Sequence, residues 1–194
     1  MQFLYLLAFW VLLPLGASAS LFGDDCPTAP ITAGNVTFTT AFTGTDKFSQ
    51  TLLNAVRNAK TSIKVITHNF YSKDLSLALH EMARQGKQVE IILDRKTNEN
   101  GYSELGFLQL MSHNPHYVKD KEAQLQDYII IDDNILILGT IAAIHDADDE
   151  AKSSAGIVII GNAPELAKKY VANFQSLWDN SEGFKELKEQ KNKK

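Results

Sequence analysis

The chain has 194 residues, 44% of them hydrophobic, which suits one globular domain with a sizeable core and leaves room only for tails. The net charge of −4 and the pI of about 5.7 lack the basic face that would release counterions from a nucleic acid, so no nucleic-acid partner is expected. One cysteine excludes an internal disulfide framework.

Residues 1–19 form an apolar run broken by Pro14 and closed by Ala17-Ser18-Ala19, the small-x-small pattern of a signal-peptidase site. Cleavage after Ala19 is expected, leaving no stable membrane anchor and a periplasmic or secreted domain. The n-region lacks Lys and Arg, and a retained anchor is the alternative; both place the domain outside the cytoplasm. Residues 20–35 read as a linker punctuated by Pro27 and Pro30. Its Cys26 follows Asp24 and Asp25, where a lipid-attachment site wants small or apolar residues, so an unpaired thiol is expected. Asn35-Val36-Thr37 matches a glycosylation sequon, which matters only in a eukaryotic secretory pathway.

The domain is expected over 36–181. VTFTTAF alternates as an early strand would, and residues 46–60 predict a helix whose Phe48, Leu52, Val56 and Ala59 line one stripe. SIKVITHNF reads as a strand, DLSLALHEMARQG as a helix ending at Gly86, and QVEIILD as a nearly continuous apolar strand. Strand, helix and strand in this order predict a parallel pair buried on both faces. After the polar stretch RKTNENGY comes a short helix in SELGFLQLMS, then the hairpin YIIIDDNILIL with Asp133-Asn134 at its turn. GIVIIG is a further strand. The last helix follows Pro164 and should bury Leu166, Tyr170, Phe174 and Leu177, with Trp178 beside them. Residues 182–194 read as a charged, solvated tail.

The chemistry centres on QLQDYIIIDDNILILGT. Its frame is H-x-K-x4-D on a hairpin followed by G-S-x-N, filled here by Leu125, Asp127, Asp132, Gly139, Thr140 and Ala142. With the flanking segments LLNAVRNAKTSIKVITHNF, GKQVEIILDRKTNENG and GIVIIGNAPELAKKYVANFQSLWDN, this resembles the phospholipase D superfamily, and most of all its small single-motif bacterial endonucleases. The resemblance covers nearly all of the chain after Val36. It implies a three-layer α/β/α sandwich with a mixed, mainly parallel sheet, and a homodimer with the site beside its interface. In active relatives it implies a His that attacks phosphorus, with Lys, Ser and Asn holding the anionic oxygens.

A covalent route needs a nucleophile with a lone pair, and phosphoryl charge needs cationic or N–H donors. Leu125 and Ala142 offer neither, and Asp127 replaces a cation with an anion. At ~4 Å two like charges repel by about 1 kcal/mol in water and about 4 kcal/mol at an effective dielectric near 20. A further acidic position of the family falls on Ala155. No residue is therefore assigned a catalytic, cofactor-binding or metal-binding role: Leu125 reads as a core leucine and Asp127 as an exposed, turn-proximal acid.

His145, Asp146, Asp148, Asp149 and Glu150 match no metal loop and read as a solvated acidic segment. His113 and His116 suggest a metal pair only weakly, because Asn114-Pro115 between them implies a turn with surface histidines. His68 reads as a satisfied buried imidazole. The leading expectation is a non-catalytic structural or binding subunit of the cell envelope with a protein partner, in a secretion or conjugation assembly. A phosphodiesterase rebuilt around Asp127, Asp132 and His145, metal-assisted, is the alternative. A regulator forming mixed dimers with an active homologue is the third reading.

Overall fold

The computed structural model describes residues 31–44, 46–98, 105–110, 113–118, 125–141 and 154–184. The expected signal peptide, Cys26, Ala142, the acidic run 145–150 and the tail from 185 lie outside the described residues. The described residues form nine strands, all but the last carrying β-branched or aromatic residues: β1 (Ile31–Ala33), β2 (Val36–Phe42), β3 (Ser62–Thr67), β4 (Gln88–Leu93), β5 (His116–Val118), β6 (Tyr128–Ile131), β7 (Ile135–Gly139), β8 (Gly156–Gly161) and β9 (Ser181–Gly183). They form one sheet in the order β1-β2-β8-β7-β6-β3-β4-β5-β9.

The sheet is mixed, as expected, but its majority is antiparallel. Only β3–β4 and β4–β5 are parallel, two of eight pairings. A parallel pair needs a crossover long enough for a helix, whereas antiparallel neighbours need only a turn or a return. The strand–helix–strand unit at 62–93 makes the first parallel pair. The hairpin expected in YIIIDDNILIL lies at the sheet's centre and pairs antiparallel on both sides, β6 with β3 and β7 with β8, which tips the balance.

Strand alternation divides the core into two layers. Ile63, Val65, Ile129 and Ile131 pack under α1 (Phe48–Arg57), α2 (Lys73–Arg84) and α4 (Leu105–Leu110) through Phe48, Leu52, Val56, Leu75, Leu79 and Leu108. Ile66, Tyr128, Ile130 and Leu136 pack under α5 (Pro164–Asp179) through Ala167 and Phe174. The short α3 (Arg95–Asn98) follows β4. Ser72 caps α2 by accepting from the Leu75 N–H at 3.2 Å, and Gly86, at φ +82°, ends it.

The stripe expected on α5 is displaced at its start. Ala167 is fully buried whereas Leu166 is 36% exposed. The small side chains of Ala163 and Ala167 let the helix N-terminus close on the sheet, which turns Leu166 outward. Tyr128 anchors the same helix by donating to Asn173 Oδ1 at 2.7 Å. The sheet also reaches past 36–181. β1 uses residues read as linker, and β9 uses the beginning of the expected tail, with Phe184 against Tyr117 at 5.9 Å.

Candidate functional site

The β6–β7 turn centres on Asp132 and Asp133, one residue earlier than expected. Both have positive φ, 54° and 51°, and Asn134 N–H donates back to Ile131 O at 3.1 Å. Such a turn matches strand twist and requires residues that tolerate positive φ, as aspartate does better than most. The turn frees the Asp132 carboxylate to reach the start of β3. There it accepts from the N–H groups of Lys60 at 2.8 Å, Thr61 at 2.7 Å and Ser62 at 3.0 Å, and from the Thr61 hydroxyl at 2.9 Å. Burial pushes its pKa up, but the backbone donors and the hydroxyl outweigh it and hold the carboxyl below the usual range. Asp132 is thus a backbone staple.

Gly139 is retained for an equally structural reason. At φ +122° it lies so close to β8 that a Cβ would stand 2.1 Å from Gly156 O. Thr140 follows it and donates its N–H to Gly156 O at 3.1 Å. Ala155 is tied to Thr43 through its backbone: its N–H donates to the Thr43 hydroxyl oxygen and its carbonyl accepts from Thr43 N–H, each at 3.0 Å.

Leu125 and Asp127 lie before β6 and go separate ways. Leu125 is half-buried against the α5-side cluster of Ile66, Tyr128 and Ile130. Asp127 is not the exposed, turn-proximal acid expected. It is half-buried at the far end of β6, where its Oδ1 accepts from His68 N–H at 2.7 Å. Burial raises its pKa, against the lowering effects of that N–H, the Thr67 hydroxyl and the His68 ring. Asp127 and Asp132 flank opposite ends of the strand, roughly 16 Å apart at about 3.3 Å per residue, so the pair invoked for a rebuilt site does not converge.

A polar network absent from the sequence reading occupies the ends of β3 and β4. Asp94, 8% exposed, accepts from Thr97 N–H at 2.8 Å and the Thr97 hydroxyl at 3.0 Å. Its Oδ2 is 3.6 Å from His68 Nδ1. Asn98, also buried, donates to the carbonyls of His68 and Asp94, each at 2.7 Å, and accepts from Phe70 N–H at 3.0 Å. The expected burial of the His68 imidazole does not occur: its side chain is 45% exposed. Its ring faces Asp94, while Asp127 holds its backbone N–H. The acid that closes the run QVEIILD, Asp94 after three apolar residues, is the sequence signal for this network.

The two histidines of SHNPHY are half-buried and diverge. His116 stacks on Trp178 at 3.7 Å with its Nδ1 2.7 Å from Ser181 Oγ. His113 instead meets His80, and burial, then the neighbouring His80, lowers its pKa. Among the described residues no group of three or more His, Cys, Asp or Glu is placed to hold a metal ion, and no helix is long and apolar enough to cross a membrane.

Residues 52–178 match the family model described as cardiolipin synthase, PLD-like domain. No curated protein matches the chain by sequence. Among solved structures, the chain is similar to Nuc, a phospholipase D family member from Salmonella typhimurium, at 22% identity and a TM-score of 0.68, covering 77% of this chain and 98% of that one. NucT from Helicobacter pylori is similar at 21% identity and a TM-score of 0.61, covering 76% and 99%. The phosphatidylserine synthase of Haemophilus influenzae Rd KW20 is similar at 12% identity and a TM-score of 0.59, covering 77% of this chain and 40% of that one.

Proposed function

The chain belongs to the phospholipase D-like family, and from that membership we propose that it is an exported, non-catalytic member serving as a structural or protein-binding subunit of the cell envelope. The observation that carries this reading is how the motif positions divide. Asp132 and Gly139, kept, are occupied with backbone geometry. Leu125 and Asp127, changed, stand where the resemblance puts nucleophile and cation: one packs into an apolar cluster, and the other is tied to a strand end. Selection for the scaffold without selection for phosphoryl transfer leaves this pattern.

Export rests on the apolar run and the Ala17-Ser18-Ala19 site. An envelope partner follows from a fold retained without its chemistry, in a compartment where secretion and conjugation assemblies are built. Self-association into the family-like dimer is part of the same reading. The rebuilt phosphodiesterase loses support because Asp132 is saturated and remote from Asp127.

Hydrolysis of a generic phosphodiester and of DNA, with and without divalent metal, tests the proposal beside a Leu125→His, Asp127→Lys double variant. Wild type should show no turnover above buffer. Turnover that survives purification and disappears in a His68→Ala variant would overturn the non-catalytic reading and move the chemistry to the Asp94–His68 pair.

A further inference from the structure

His116 is committed to Trp178 and Ser181, so the pairing suggested by SHNPHY does not form; His113 has a different partner. It meets His80 of α2 edge to face, with ring centroids 5.6 Å apart and planes at 87°. His80 Nδ1 and His113 Nε2 are both shut off from solvent, and neither has a hydrogen-bond partner among the described residues. A buried polar atom left unpaired costs about 1–3 kcal/mol, and native interiors contain few. Two such nitrogens on neighbouring rings leave a demand that a bound ion would satisfy.

The donor chemistry narrows what that is. Imidazole nitrogens suit zinc, copper and nickel, not calcium or magnesium. With metal–nitrogen bonds of about 2.0–2.1 Å, two imidazoles on one tetrahedral ion hold their centroids about 5–6 Å apart. The observed spacing falls in that interval. Both rings are also carried on fixed backbone. His80 lies on α2 between the buried Leu79 and Met82, and His113 N–H donates to Leu108 O at 2.9 Å.

We propose that His80 and His113 form a two-nitrogen site for an imidazole-seeking divalent ion of the zinc and copper class, with water in the remaining positions. The ion clamps the approach to β5 against α2. The site shares no residue with the hairpin motif and stands whether or not the chain is catalytic.

The full-length, untagged chain, stripped with chelator, is titrated with Zn²⁺ and separately with Cu²⁺. One equivalent should bind saturably and raise the thermal midpoint, and the Cu²⁺ electron paramagnetic resonance spectrum should carry splitting from two nitrogens. His80→Ala and His113→Ala should each reduce binding to background, while His116→Ala leaves it unchanged. No saturable binding of either ion, as expected if a water bridges the rings, overturns the site. So does binding that persists in both single variants, or a copper spectrum with oxygen donors alone. If either variant fails to fold, the wild-type spectrum decides.

Discussion

Three backbone N–H groups and one hydroxyl converge on Asp132, so its side chain contributes to stability through charge-assisted bonds that no other residue supplies. Replacing it with alanine removes those acceptors and leaves a β-carbon at positive φ. Asp132→Ala should lower unfolding free energy by about 2–3 kcal/mol, and Asp132→Asn, which keeps one oxygen and tolerates the backbone, by roughly half as much. Denaturant titration measures both. The pH dependence carries a definite sign. The folded pKa lies below the unfolded one, so this contribution is present above the ordinary carboxylate range and is lost as pH falls through the folded value. Asp127 has the opposite sign. Its folded pKa is raised, chiefly by burial, so the folded protein holds the proton more tightly, and stability falls as pH rises from the ordinary carboxylate range through the raised value. Asp127→Asn keeps an acceptor for His68 N–H and carries no charge. It should be more stable than wild type at neutral pH, with the difference shrinking as the solution is acidified.

At the scale of elements, the close approach of β7 to β8 decides which glycines can be changed. A Cβ on Gly139 meets backbone, the Gly156 carbonyl oxygen at 2.1 Å, while a Cβ on Gly156 meets the Phe42 ring at 2.6 Å. A ring on the 45%-exposed Phe42 can swing away, but a paired strand cannot. Gly139→Ala adds the strain of φ +122° to that collision and should cost about 2–4 kcal/mol. Gly156→Ala should cost less than half as much, and thermal melts of the two variants give the comparison. The order matters for reading the motif. If Gly139 were kept for phosphate contact alone, its alanine variant would be as stable as wild type.

Across the whole molecule, what was legible in the sequence was what periodicity encodes. Phe48, Leu52 and Val56 of the expected stripe are buried on α1, Ala59 is buried just past its end at Arg57, and the strand in VTFTTAF runs over the residues expected. Local pattern does not encode which strands become neighbours, and the sheet's antiparallel majority escaped for that reason. The Asp94–His68–Asn98 network escaped because β3 and β4 bring together residues more than two dozen positions apart, and the His80–His113 meeting because a helix and a distant loop create it. The sheet's edges were misread in the same way, since three-residue strands carry almost no periodic signal. β9 covers the outer edge of β5, Phe184 N–H donates to Pro115 O at 3.0 Å, and its ring packs on the buried Tyr117. Removing residues 181–194 would strip these contacts, leave β5 with an unpaired edge and bare apolar surface over the core, and so should both lower the thermal midpoint and promote self-association. Removing only 185–194 spares β9 and Phe184 and should do neither. Scanning calorimetry with sedimentation of the two truncations separates a structural strand from a dispensable tail; equal behaviour would mean that the domain's stability ends with α5.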